Sequence, residues 1–201
     1  MTSQIERFSA PFGRGQIEFQ PDWLSAAEAT RLEQALRREL EFETRAIELF
    51  GRRVLQPRLI AWAGELAYRY SGQTLEIRSF TPVLEELRER IVRRTGVRFN
   101  HALVNRYRDE RDMMGFHSDA EPELGRDPTV ASASFGATRR FVLRSKRNSE
   151  KRAIEYALGH GSLLVMSGSL QHHYRHAVPR ESRRVGERIN VTFRLLRSPP
   201  L

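Results

Sequence analysis

The 201-residue sequence predicts an α+β fold in which helices brace one face of a β-sandwich or jelly roll. Two capped amphipathic helices precede residue 97, and at least six short β-like runs follow it. No internal repeat or low-complexity tract favours a solenoid or a long linker.

The first helix is expected over 25–41. Ser25 and Glu28 form a capping box, and Ala29, Leu32, Leu36 and Leu40 recur at helical spacing. The second runs from 82 to 95, with Thr81 at its cap, Pro82 in its first turn and Gly96 as its stop. Leu84, Leu87 and Ile91 form its apolar stripe. Past Gly96, runs at 102–107, 130–135, 140–144, 153–158, 162–166 and 188–196 read as strands. Residues 137–152 carry seven cations and one Glu and are expected to form a charged hairpin.

Hydrophobic residues make up 39% and charged residues 29%, within the range of globular proteins. No apolar run approaches the ~20 residues of a membrane helix, and Met1-Thr2-Ser3-Gln4 lacks a signal-peptide core. The expectation is a single-domain monomer with no membrane partner, in the cytoplasm of a bacterium or the nucleus of a eukaryote. The absence of cysteine excludes disulfides, a cysteine nucleophile and thiolate metal sites. The net charge is +9, and only Lys146 and Lys151 are lysines, so 32 of the 34 cations are arginine. Arginine forks onto phosphates and stacks on bases, which brings nucleic acid forward as a partner; a GC-rich genome would produce the same bias.

Among six histidines, His117-Ser118-Asp119 places an imidazole and a carboxylate two residues apart. On an extended segment both face one way and can converge on one ion. A third ligand would complete the two-histidine, one-carboxylate face that leaves coordination positions open on non-haem iron(II). His172, His173 and His176 are the candidates for it. The strand at 188–196 adds weight: Ile189, Val191, Phe193 and Leu195 share one face, while Arg188, Asn190, Thr192 and Arg194 share the other. That polar face is either solvated, the ordinary reading, or lines an anion pocket. Asn105 and Tyr107 likewise share a face, so two strands present Arg, Asn, Thr and Tyr beside the H-x-D, which suggests a dicarboxylate site next to a metal.

Asn105-Arg-Tyr107, His117-Ser-Asp119-Ala-Glu121, Ala133-Ser-Phe-Gly136, Arg139-Arg-Phe141, His160 to Met166, His176-Ala-Val-Pro179 and Arg188 to Arg194 together resemble the AlkB family. That family comprises iron(II)- and 2-oxoglutarate-dependent oxidative dealkylases of nucleic acids. The likeness spans roughly residues 50–196. Gln56-Pro57-Arg58 and Tyr68-Arg-Tyr70-Ser-Gly72 resemble the nucleotide-recognition part of the branch of the second and third animal homologues.

The resemblance implies a double-stranded β-helix (jelly-roll) core at about 101–196, preceded over about 1–100 by helices and a nucleotide-recognition segment. It implies Fe(II) held by His117, Asp119 and His176, with His160, His172 and His173 given no catalytic role. It implies Arg188 and Tyr107 on the distal carboxylate of 2-oxoglutarate, Arg194 and Asn105 nearer its chelating end, and Asn190 and Thr192 lining the pocket. The implied reaction couples O2 and decarboxylation of 2-oxoglutarate to succinate with removal of an N-alkyl group as formaldehyde. The implied partner is nucleic acid, DNA first and RNA second. The alternative is a 2-oxoglutarate-dependent hydroxylase of a protein or small molecule.

For the substrate, Glu121 matches an acidic base-contacting position and would favour cationic 1-methyladenine or 3-methylcytosine. Many relatives also carry an acid immediately after the iron-binding Asp, where this chain has Ala120. Tyr68 and Tyr70 are expected to stack on or bound a flipped base, with ordinary strand packing as the alternative. Phe50-Gly51 matches a turn that wedges into duplex DNA; otherwise Phe50 ends a helix-like 44–50 stretch and packs in the core.

Overall fold

The computed structural model describes residues 5–10, 15–49, 52–70, 73–147 and 153–197. In chain order the elements are β1 (Glu6–Ser9), β2 (Gln16–Gln20), α1 (Ala26–Glu39), β3 (Ala46–Leu49), β4 (Arg52–Leu55), β5 (Leu59–Gly64), β6 (Tyr68–Tyr70), β7 (Gln73–Leu75) and α2 (Pro82–Thr95). Then follow β8 (His101–Tyr107), β9 (Met114–His117), a 3-10 turn (Pro122–Leu124), β10 (Val130–Gly136), β11 (Arg139–Ser145), β12 (Ile154–Leu158), β13 (Leu163–Ser167), α3 (Leu170–His173), β14 (Tyr174–Val178) and β15 (Arg188–Arg194).

Both predicted helices form. The capping box of α1 is complete, with Glu28 N–H donating to the Ser25 hydroxyl at 3.3 Å and Ser25 N–H to the Glu28 carboxylate at 3.2 Å. The helix stops at Glu39, where Leu40 turns extended, short of the expected 41. Helix α2 has the expected bounds and ends on Gly96 at φ +72°, a left-handed cap that suits glycine. Its start differs from expectation: the Thr81 hydroxyl makes no capping bond. Instead the carboxylate of Glu39, at the end of α1, accepts the Val83 N–H at 2.9 Å, so one helix caps the other.

A seven-stranded antiparallel sheet runs β1-β2-β13-β10-β15-β8-β5, and a four-stranded one runs β12-β11-β14-β9. They pack face to face as a jelly-roll core, with Phe141, Leu143, Tyr156 and Leu158 of the small sheet against Tyr107, Val130, Leu164 and Met166 of the large one. The other face of the large sheet carries the helices. There Leu32 and Leu36 of α1 and Leu84, Leu87 and Ile91 of α2 pack on Ala61, Ala63, Ala102, Ala131 and Ala133. These small side chains leave room for the helices to lie close to the sheet.

The 140–144 and 153–158 runs pair as β11 with β12, so the charged segment expected to be a hairpin over 137–152 supplies β11, and its last residues, 148–152, lie outside the described residues. Arg139, assigned to that charged hairpin, is nonetheless fully buried. The N-terminal half differs more, because seven strands precede residue 100 and three of them, β1, β2 and β5, belong to the large sheet. The helix-like 44–50 reading is corrected: 46–49 is a strand paired with β4, Ala46 opposite Leu55. Phe50 and Gly51 lie outside the described residues.

Candidate active site

His117 ends β9, Asp119 follows it by two residues, and His176 lies on the neighbouring β14 directly opposite His117. Antiparallel pairing thus brings together residues 59 positions apart in the chain, with ring centroids 4.3 Å apart. One ligand-capable atom from each of the three lies within 4.8 Å of the others. Their surroundings fix them. His117 Nδ1–H donates to the Gly115 carbonyl at 2.9 Å, which leaves Nε2 as the lone-pair atom. The His176 ring stacks on Phe141 at 5.2 Å. Asp119 Oδ1 accepts Arg194 Nη2–H at 2.7 Å and Nε–H at 3.2 Å, and the Asp119 N–H donates to the Gln171 side-chain carbonyl at 3.0 Å.

Electrostatics suit a metal. Burial lowers the pKa of both imidazoles, that of His176 to about 3, so both are neutral at physiological pH. Burial would raise the Asp119 carboxyl, but Arg194 and the two histidines outweigh it and hold the pKa below the carboxylate range. Asp119 Oδ2 is buried without a hydrogen-bond partner and lies 3.6 Å from His176 Nε2. An ionised oxygen with nothing to accept, beside two neutral imidazoles, is a donor set that fits iron(II) with positions to spare.

Beside the triad, a cavity between the sheets is lined by the polar face of β15, by Asn105 and Tyr107 of β8, and by Ser132. Arg188 is 1% exposed, and its Nη2–H donates to the Ser134 hydroxyl at 2.9 Å. Its Nε and Nη1 are buried without hydrogen-bond partners among the described residues. It sits 5.3 Å from the Tyr107 ring, whose centroid is 5.5 Å from a second buried cation, Arg139. Burial, with Arg139 adding, pushes Arg188 down to about 10, so it stays charged at neutral pH. A buried guanidinium with spare donors fits a carboxylate such as the distal one of 2-oxoglutarate.

The remaining pocket residues are tied to one another. Asn190 Nδ2–H donates to the Ser132 hydroxyl at 2.7 Å and the Ala133 carbonyl at 3.0 Å, and the Thr192 hydroxyl donates to Asn190 Oδ1 at 2.9 Å. Asn105 Oδ1 accepts from Arg58 Nε–H at 2.7 Å. Arg58, Ser132, Ser134 and Gln171 are site residues that sequence reasoning missed. The period-two Ser132, Ser134 pair on β10 was the available signal, whereas Arg58 had been grouped with nucleotide recognition.

On the base side, Glu121 immediately precedes the 3-10 turn, and burial, with the nearby charge of Glu121 adding, raises the pKa of the Tyr68 hydroxyl. Tyr68 is fully buried, its ring edge-on to His101 at 4.9 Å. Alternation on β6 turns Tyr68 into the core. Tyr70 belongs to β6 by its backbone. The other histidines lie apart from the triad: His160 Nδ1 accepts the Gly136 N–H at 3.0 Å, His172 meets Asp127 at 3.1 Å, and His173 closes α3.

Fold and site together define an iron(II)- and 2-oxoglutarate-dependent oxygenase: the family model described as the 2OG-Fe(II) oxygenase superfamily matches residues 16–194. The chain is 38% identical over 199 residues to alpha-ketoglutarate-dependent dioxygenase alkB homolog 3 of Homo sapiens, covering 95% of this chain and 70% of that protein. It is 40% identical over 179 residues to DNA oxidative demethylase ALKBH2 of Mus musculus, covering 84% of this chain and 75% of the other. The solved structure of OsALKBH1 shares the fold, with TM-score 0.67 and 14% identity over 96% of this chain and all of that one. The chain belongs to the AlkB family of that superfamily and is a dioxygenase using Fe(II), 2-oxoglutarate and O2. Among the described residues, no helix is long and apolar enough to cross a membrane.

Proposed function

We propose that the chain oxidatively dealkylates N-alkylated bases such as 1-methyladenine and 3-methylcytosine in DNA, with RNA as a second polymer. His117, Asp119 and His176 hold the iron, and Arg188 with Tyr107 holds the distal carboxylate of 2-oxoglutarate. The observation that carries this reading is a pair of buried, unsatisfied groups in one cavity: Asp119 Oδ2 asks for a cation and Arg188 for an anion. Bound iron and 2-oxoglutarate supply oxidation by O2, the cosubstrate leaving as succinate and carbon dioxide and the alkyl carbon as formaldehyde.

The chain's own groups position these partners and keep water out. Arg194 clamps Asp119 and lines the cavity toward the chelating end of the cosubstrate, and Asn105 on the same side is braced by Arg58. Asn190 and Thr192 form a closed polar wall. Glu121, beside the 3-10 turn, offers a negative charge that favours a cationic lesion over the neutral base. Phe50-Gly51 supplies the wedge for paired DNA, and Tyr70 bounds the extruded base. Residues 101–196 supply the groups that hold iron and 2-oxoglutarate, while 1–100 add the helices, the nucleotide-recognition segment and three strands of the large sheet. The protein is expected to act as a monomer. The expected compartment is the one holding its polymer, a bacterial cytoplasm or a eukaryotic nucleus.

The test is incubation with Fe(II), 2-oxoglutarate, O2 and an oligonucleotide bearing 3-methylcytosine. Succinate and formaldehyde should appear in equal amounts while mass spectrometry shows cytosine restored. Turnover of 2-oxoglutarate with no methyl lost from any alkylated oligonucleotide overturns the substrate assignment and favours a protein or small-molecule hydroxylase.

A further inference from the structure

On the far side of the wall that carries Tyr68 and Glu121 lies a depression of about 290 Å³ bordered by Leu66, Arg69, Thr74, Glu123, Leu196 and Arg197. Successive residues of a strand face opposite ways, so buried Tyr68 turns inward and its exposed neighbour Arg69 turns outward on β6. Glu123 follows Glu121 by two residues, inside the 3-10 turn. The depression and the base-contacting carboxylate therefore share one wall.

Arg197 is held in place from three sides. Its N–H donates to the Glu123 carbonyl at 2.7 Å. The preceding Leu196 is gripped by Asn100, whose Oδ1 accepts the Leu196 N–H at 2.7 Å and whose Nδ2–H donates to the Leu196 carbonyl at 2.9 Å. Its side chain lies across Gly125, where a Cβ would come within 3.0 Å of the guanidinium. Gly125 has φ +75°, so both its backbone and the passing arginine call for glycine. Among the described residues neither Arg69 nor Arg197 forms an ion pair. Two arginines against the one carboxylate of Glu123 leave the depression with an excess positive charge.

We infer that Arg69 and Arg197 form a phosphate subsite, taking a backbone phosphate that flanks the nucleotide whose base reaches Glu121. The inference rests on the reading of the chain as a nucleic-acid dealkylase. Guanidinium forks suit phosphate oxygens, the Thr74 hydroxyl adds a donor, and Leu66 and Leu196 offer apolar contact to a sugar. A free polyphosphate shares the same chemistry and is the competing source.

Fluorescence anisotropy over a salt series, with a single-stranded 3-methylcytosine oligonucleotide, compares wild type with Arg69→Gln, Arg197→Gln and the double variant. Each substitution should weaken binding about fourfold at 0.15 M salt and reduce the salt slope by about 0.7–1. Succinate formation without oligonucleotide should stay unchanged. Wild-type affinity and slope in the double variant overturn the subsite. Affinity lost for pyrophosphate but kept for the oligonucleotide also overturns it, assigning the depression to a free polyphosphate. A wild-type protein that neither binds nor demethylates alkylated oligonucleotides overturns the dealkylase reading itself.

Discussion

Replacing Arg188 with Met removes a buried charge while keeping an unbranched side chain in the same slot. That guanidinium donates to the Ser134 hydroxyl, while its Nε and Nη1 are buried without hydrogen-bond partners among the described residues. Unsatisfied buried donors cost on the order of 1–3 kcal/mol each, so Arg188→Met should leave the ligand-free Tm level or higher. Cosubstrate binding should suffer instead. A charge-assisted contact is worth about 2 kcal/mol, roughly a 30-fold rise in Kd. At 2-oxoglutarate equal to ~100 times the wild-type Kd, ligand linkage stabilises wild type by about 2.7 kcal/mol and the variant by about 0.9. For a chain of this size that is a Tm rise of roughly 5–11 °C against roughly 2–3 °C. Calorimetric titration of the anaerobic, Fe(II)-loaded protein gives the affinities, and thermal melts with and without 2-oxoglutarate give the stabilities. Unchanged affinity refutes the assignment of Arg188, and a large fall in ligand-free Tm marks the side chain as structural.

Three further outcomes are expected. His176→Ala should abolish bound iron and 2-oxoglutarate turnover, while His172→Ala and His173→Ala retain both; iron content by atomic absorption separates them, and loss with His173→Ala alone would unseat His176. Glu121→Gln keeps the shape and removes the charge, so rates should fall more on 3-methylcytosine than on a neutral alkylated base; equal losses would remove the electrostatic role. Phe50→Ala should cut activity on methylated duplexes severely while sparing single strands and Tm. A core Phe50 would instead cost about 3–5 kcal/mol, lowering Tm and both activities together.

What could be read from sequence follows from how local each signal is. Helix α1 declared itself because Ser25 and Glu28 satisfy each other within one turn and its apolar residues repeat every three or four positions. Helix α2 has equally clear bounds, yet the group that caps it, Glu39, is 44 residues away from Val83 and leaves no local trace. Strand β15 was legible because apolar and polar residues alternate along it. Strand β5, Leu-Ile-Ala-Trp-Ala-Gly, is buried on both faces and has no alternation to detect. In the site, His117-x-Asp119 is a local pattern. Choosing His176 needed the family likeness, since the pairing of β14 with β9 is not written in either segment. Arg194 on Asp119 and Arg58 on Asn105 are contacts between distant strands, beyond the reach of spacing arguments.

Strand β15 follows every other strand in the chain, yet it lies inside the large sheet between β10 and β8. A growing polypeptide therefore holds His117, Asp119 and His176 before it owns the strand that supplies Arg188 and Arg194. Until β15 inserts, β8 and β10 each present an open edge, and contacts spanning most of the chain must wait. Order of synthesis thus acts as a safety catch: the carboxylate of Asp119 gains its arginine clamp, and the cavity its buried cation, in the same late event that closes the sheet.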